Sequence, residues 1–200
     1  MSNDFFKHKA DSYEQDVRRV ENVVTIASSI KRHVDLKPTM KLMDFGSGTG
    51  LLLEKIAPYV ASITAVDISS SMNQQLDKKR ADLACELEII EMDLTKSSLD
   101  RKFDGIISSM TLHHVDDLNA LFVKLHTMLN KGGFIALADL ETEDGSFHTE
   151  DTGVFHFGFS REELLDFATG AGFSQVEVNP ASTVHKPNGD YPVLLLTAIV

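Results

Sequence analysis

The chain has 200 residues, 42% of them hydrophobic and 24% charged, with a formal net charge of −11 at pH 7. That length fits one domain with a substantial core, and the acidic balance disfavours a nucleic-acid partner, whose affinity comes largely from basic phosphate contacts. The charge is uneven, with seven Lys/Arg against six Asp/Glu in residues 1–40 and twelve against twenty-four in residues 41–200. This acidic surplus favours a neutral or cationic small ligand.

In chain order, Val20, Val23, Val24, Ala27 and Ile30 recur at helical spacing and predict a helix over about Val17 to Val34. A first strand follows at Leu42 to Phe45, then a helix from about Gly50 to Ala57. The second strand is Ile63 to Val66, and Ser69-Ser70-Ser71 supplies the N-cap of a helix reaching about Leu83. Strands three and four are Leu87 to Glu91 and Phe103 to Ser108. Leu118, Leu121, Phe122, Leu125 and Leu129 share one helical face, and Lys131-Gly132-Gly133 reads as the stop of that helix. Strand five is Phe134 to Ala138, and residues 139–158 lack periodicity. Ser160-Arg161-Glu162-Glu163 is a capping box whose helix ends near Gly170-Ala171-Gly172. Val176 to Val178 and Pro192 to Ile199 are the last two strands. Strands alternating with helices indicate an α/β fold around a mostly parallel sheet.

Cys85 is the only cysteine, so no intramolecular disulfide can form, which suits a reducing compartment. The N-terminus lacks an apolar signal core, and no stretch approaches the roughly 18 apolar residues of a membrane span. A cytoplasmic protein is expected.

The run Met40 to Leu51 carries most of the functional information. A short apolar strand enters three alternating glycines, Gly46, Gly48 and Gly50, and a helix follows. Strand, glycine-rich turn and helix N-terminus together make a nucleotide-sized site with inward-pointing N–H groups. The third glycine comes one residue too early for the dinucleotide pattern, which makes a nicotinamide enzyme the weakest reading. Asp67 ends the second strand, 21 residues beyond Gly46, where a carboxylate can accept hydrogen bonds from ribose hydroxyls.

These residues, with Asp93, the run Phe103 to Val115 containing His113-His114, and Lys131-Gly132-Gly133, resemble the class I S-adenosylmethionine-dependent methyltransferases. The resemblance covers roughly Phe5 to Val200. It is nearest the small-molecule branch that includes the ubiquinone/menaquinone-biosynthesis C-methyltransferases. It implies a Rossmann-like, doubly wound, seven-stranded sheet with helices on both faces and an antiparallel last strand. The chain would then be one methyltransferase domain over residues 1–200, with residues 1–38 as a helical cover.

S-adenosyl-L-methionine is the implied cofactor. Asp44, Gly46, Ser47, Gly48 and Gly50 would pass beneath its methionine part, Asp44 acting through water or the ammonium. Asp67 would take the ribose, Ile68 would pack on the adenine, and Met72 would also bind the cofactor. Asp93 would accept from the adenine amino group, and the Leu94 N–H would bind the ring. Ser109, after Ser108 at the end of strand four, would lie near the sulfonium. The lead-in Phe5 to Tyr13 would cover the cofactor, with Tyr13 touching it.

The resemblance places His113-His114 toward cofactor and acceptor, where one imidazole could serve as a general base. Adjacent residues point differently, so at most one faces the acceptor, and either could simply shape the pocket. Asp139 to Gly158 would lie by the substrate. Its acids, with His148 and His156, read as a solvated loop, and no metal is expected. Phe155, Phe157 and Phe159 could wall an apolar pocket or cover the sheet edge.

The expected partner is a small-molecule methyl acceptor; neither nucleic acid nor a membrane span is expected, and the oligomeric state is open. A protein or RNA methyltransferase is one rival. The Asn/Asp-Pro-Pro-Tyr motif of the exocyclic-amine type is absent at Ser108-Ser109-Met110-Thr111, and Cys85 is misplaced for a cytosine-C5 nucleophile. A regulatory module that binds the cofactor without transfer is the other rival.

Overall fold

The computed structural model describes residues 9–148 and 152–200. Phe5, Phe6 and His8 of the lead-in, and Glu150 and Asp151 of the acidic loop, lie outside the described residues. After a 3-10 turn at Ala10–Gln15 come α1 (Val17–His33), β1 (Lys41–Phe45), α2 (Leu51–Ile56), β2 (Ser62–Asp67) and α3 (Ser70–Lys78). Then follow β3 (Glu86–Glu91), β4 (Phe103–Ser109), α4 (Leu118–Thr127), β5 (Leu129–Leu140), α5 (Arg161–Gly170), β6 (Ser174–Lys186) and β7 (Gly189–Ile199).

The strands form one seven-stranded sheet in the order β3-β2-β1-β4-β5-β7-β6. The first five strands pair in parallel, and β7 runs antiparallel to both β5 and β6. This is the Rossmann-like methyltransferase fold. Leu42, Met43, Asp44 and Phe45 of β1 are all buried, as a central parallel strand covered on both faces requires. One face packs Val23, Ile26 and Ile30 of α1 and Leu52, Leu53 and Ile56 of α2. The other packs Leu121, Phe122 and Leu125 of α4 with Leu164 and Ala168 of α5. Among the described residues no helix is long and apolar enough to cross a membrane.

Three elements differ from the pattern in the sequence. The Lys131-Gly132-Gly133 run stops no helix. α4 ends at Thr127, Leu129 is already paired with Phe103, and Gly132, at φ +77°, bends the chain inside β5. The third helix ends at Lys78 and is followed by a separate 3-10 turn at Arg80–Asp82. The last two strands are much longer than expected and form a hairpin reaching Lys186 and Gly189. β6 is the edge strand, so it tolerates polar residues and a proline, Pro180, at a break in register.

Phe122 is fully buried and stacks near Phe167 of α5 with ring centroids 5.7 Å apart. Phe122→Ala is expected to lower stability by about 3–5 kcal/mol, read as a drop in the urea midpoint with the slope unchanged.

Candidate functional site

β1 lies between β2 and β4, whose connecting helices leave in opposite directions. Ligands of open α/β sheets bind at such a switch point, outside the carboxyl ends of the strands. A cavity of about 1270 Å³ opens there.

Gly46, Gly48 and Gly50 all have left-handed φ, at +68°, +53° and +86°. A Cβ on Gly46 would lie 2.3 Å from Thr111, so the loop passes against the turn that follows β4. At Gly48 a Cβ would meet nothing within 4 Å, and the residue lines the cavity, leaving its backbone open to a ligand. Gly50 sits away from the cavity as the N-cap of α2.

Asp67 holds this loop in place. One carboxylate oxygen accepts from the Gly48 N–H at 2.8 Å and the other from the Ser69 N–H at 2.8 Å. Ser69 Oγ in turn caps α3 by accepting from the Met72 N–H at 3.2 Å. The Asp67 side chain faces the cavity with Ile68 and Met72, the first half-exposed and the second buried. A carboxylate oxygen accepts more than one hydrogen bond, so these bonds leave a ribose contact possible.

Asp44 is buried, and its Oδ2 has no hydrogen-bond partner. Burial, with the Asp67 carboxylate nearby, raises its pKa well above the usual range. Ser47 Oγ, Thr49 Oγ1 and Ser109 Oγ are also buried and unpartnered. Orphaned polar atoms gathered round one loop are costly and fit a polar ligand that supplies their partners. Ser108 does not belong with them, because its Oγ donates to the Phe45 carbonyl at 2.6 Å and ties β4 to β1.

Asp93 closes a tight turn beyond β3. It accepts from the Thr95 N–H at 3.0 Å and Oγ1 at 2.5 Å, and from Lys96 at 2.6 Å. Burial works against its ionisation, but these bonds outweigh burial and keep its pKa low. Asp93 and the buried Leu94 line the cavity. Tyr13 lines it from the N-terminal side, with the Arg19 guanidinium 4.0 Å over its ring.

β4 ends at Ser109, and Met110, at φ +59°, turns the chain toward the 3-10 turn Leu112–His114. Left-handed backbone at a non-glycine residue is strained and gathers at functional sites. The turn buries His113, whose Nδ1 lies 2.6 Å from Asp139 Oδ1 and whose backbone N–H donates to Oδ2 at 3.3 Å. A carboxylate only accepts, so Nδ1 carries a proton, and in the neutral imidazole Nε2 is the nitrogen with the free lone pair. Asp139 is also buried, yet the His113 ring and the His113 and Leu140 N–H groups overcome desolvation and lower its pKa. The sequence suggested a solvated loop from residue 139 onward; β5 in fact carries Asp139 into the core as the partner of His113.

His114 turns the other way, its Nδ1 3.2 Å from the Gly153 carbonyl. Burial and the neighbouring His113 lower its pKa to about 4. His148, which the sequence placed among loop residues, stacks 5.1 Å from the His113 ring and 6.0 Å from His114. Its Nε2 is buried without a partner, and burial with the adjacent imidazoles takes its pKa to about 4. Only the fold brings these three rings together, 34 residues after His114 in the case of His148. Among the described residues no side-chain group is arranged to hold a metal ion. His156 serves as a strap, its Nε2 2.9 Å from the Val115 carbonyl. Phe159 is buried against the core while Phe155, at the cavity, and Phe157 are exposed.

Residues 21–178 match the family model described as a methyltransferase domain. An uncharacterized methyltransferase of Schizosaccharomyces pombe is 30% identical over 160 residues, 71% of this chain and 56% of that one. The chain spans about half the length of several curated relatives it matches. The DhpI–SAH complex superimposes with a TM-score of 0.74 at 21% identity, over 97% of this chain and 92% of that one. Phosphoethanolamine N-methyltransferase 2 of Haemonchus contortus, solved with phosphomonomethylethanolamine and S-adenosylhomocysteine, gives 0.76 at 15% identity, over 100% of this chain and 60% of that one. At such identities the likeness is one of fold.

Two outcomes follow from the loop. Gly48→Val places a branched side chain in the open approach and should weaken S-adenosylmethionine binding by at least about tenfold, or 1.4 kcal/mol. Calorimetry on the folded variant measures this, and unchanged affinity would move the ligand elsewhere.

Asp44 ionises less readily in the fold than in the unfolded chain. Its contribution to stability therefore improves as pH falls from its raised folded value toward 3.8, and is least favourable at neutral and alkaline pH. Ligand-free Asp44→Asn should be more stable than wild type at pH 8, by about 1–3 kcal/mol, with the advantage shrinking on acidification. Urea melts at two pH values check the sign.

Proposed function

The chain belongs to the S-adenosylmethionine-dependent methyltransferases, and on that premise we propose that it transfers the methyl group to a small-molecule acceptor with His113 as general base. The observation that carries this reading is the buried Asp139–His113 pair, whose imidazole lines the cavity that begins at the glycine loop. A volume of about 1270 Å³ exceeds that of common small-molecule sites and has room for cofactor and acceptor together. The Haemonchus contortus neighbour was solved with a small molecule, which supports the same class of acceptor.

In this reading Gly46, Ser47, Gly48, Asp44 and Ser109 hold the methionine end of the cofactor. Asp67 holds the ribose, and Ile68, Met72, Asp93 and Leu94 hold the adenine. Gly50 shapes the loop, and Tyr13 closes it from above. When bound, S-adenosylmethionine supplies an electrophilic methyl on a sulfonium. The protein positions the acceptor in line and keeps water out. His113 Nε2 takes the proton that the acceptor atom must lose, and Asp139 stabilises the resulting imidazolium through Nδ1. His114 is neutral at physiological pH and forms the side wall. Methylation of a carbon, oxygen or nitrogen that bears hydrogen releases a proton in each case, so the dyad serves any of the three.

With an acceptor found by following S-adenosylhomocysteine release from metabolite extracts, His113→Ala should lose about 10²–10⁴-fold in turnover. Its S-adenosylmethionine affinity should stay within a few-fold of wild type. Asp139→Asn should fall in the same direction, while His114→Ala should lose much less. If His113→Ala loses only a few-fold, the pair shapes the pocket and catalysis rests on proximity alone.

A further inference from the structure

One stretch of the cavity wall, around Arg18, Arg19 and Lys186, carries a local excess of positive charge. Arg18 and Arg19 stand in the first turn of α1, which holds no acidic residue. Helix N-termini favour negative charge, so cations there gain nothing from the helix dipole. Arg18 is paired with its N-cap, Asp16, at 3.1 Å. Arg19 donates to the Tyr13 carbonyl at 2.8 Å and lies over the Tyr13 ring, with no carboxylate within ion-pair distance among the described residues.

Lys186 reaches the same wall from the tip of the β6–β7 hairpin. Its ammonium donates to the Phe147 carbonyl and sits 3.5 Å over the Phe147 ring. It too has no carboxylate partner among the described residues. Burial, followed by repulsion from Arg18 and Arg19, lowers its pKa in spite of Asp16 and Glu143. All three cations line the cavity. In a chain of net charge −11, like charges crowded at a cavity wall call for a counter-charge from a ligand.

The cluster is connected to the candidate base. Lys186 rests on Phe147, whose ring is 4.9 Å from that of His148, and His148 is 5.1 Å from His113. The buried, unpartnered Nε2 of His148 lies along this path. We propose that the methyl acceptor carries an anionic oxygen group, a carboxylate or a phosphate, seated between Lys186, Arg19 and Arg18, with its nucleophilic atom turned toward His113. The proposal rests on the methyl-transfer reading and fixes the substrate class of that site. Arginine offers a planar fork and lysine a point charge, a combination suited to oxyanions. It reverses the expectation from net charge alone, which pointed to a neutral or cationic acceptor.

The test uses the full chain at constant ionic strength. Inorganic phosphate and acetate are titrated separately, with thermal stability as the readout. Saturable stabilisation of wild type by either anion, weakened roughly tenfold or more in both Lys186→Gln and Arg19→Gln, supports the proposal. The stronger of the two anions identifies the group. Equal response of wild type and both variants, or no saturable response in wild type, overturns it. A second arm separates a metabolite extract on an anion exchanger and follows S-adenosylhomocysteine release. Acceptor activity in the retained fraction supports an anionic acceptor, and activity only in the flow-through overturns it. Calorimetry with S-adenosylhomocysteine tests the underlying reading independently. If the wild-type chain fails to bind it, the methyl-transfer reading falls while the anion titration still stands.

Discussion

The ligand end of the molecule depends on a steric constraint at the end of β1. That strand must leave the sheet between β2 and β4, with Thr111 pressed against one side of the exit and Leu76 against another. A Cβ does not fit at Gly46 or Gly50, and the backbone runs left-handed through all three alternating glycines. Once it does, Asp67 can fasten the Gly48 N–H and the Ser69 N–H with one carboxylate. Two loops from neighbouring strands become a single rigid rim, and the cavity follows from that rim.

Asp44 and Asp139 show how the same fold sets two carboxylates to opposite purposes. Both are about 1% exposed, and both end central strands. Asp44 meets no compensating donor at Oδ2 and has Asp67 close by, so its pKa rises. Asp139 meets an imidazole and two backbone N–H groups, so its pKa falls. Desolvation acts equally on both, and the difference lies in hydrogen-bond partners. The unsatisfied carboxylate is poised for a ligand. The satisfied one fixes a tautomer.

Net charge is a poor guide to the acceptor because it is a sum over a surface much wider than the site. At physiological ionic strength, exposed charges beyond about 8 Å are largely screened. The stretch of wall around Lys186 therefore feels Arg18 and Arg19, with Asp16 beside them, more than acidic residues elsewhere on the surface. A helix N-terminus adds its partial positive charge in the same place.

The sequence by itself determined the alternation of strands and helices, the glycine turn and the two acidic strand ends, because each depends on residues within about ten positions of one another. The capping box at Ser160 and Glu163 is local in the same sense and forms as read. Where local signals were ambiguous, long-range pairing decided: Lys131-Gly132-Gly133 resembles a helix stop but is drawn into β5 by pairing with β4. The edge hairpin was concealed by its polar outward face. The site divides the same way. The glycine loop was legible because one chain segment builds it. The partnership of Asp139 with His113, the stacking of His148 beside them, and the approach of Lys186 to Arg19 join residues 26, 35 and 167 positions apart. Only the register of β4 against β5 and the length of the β6–β7 hairpin bring those groups within reach, and no spacing rule along the chain carries that information.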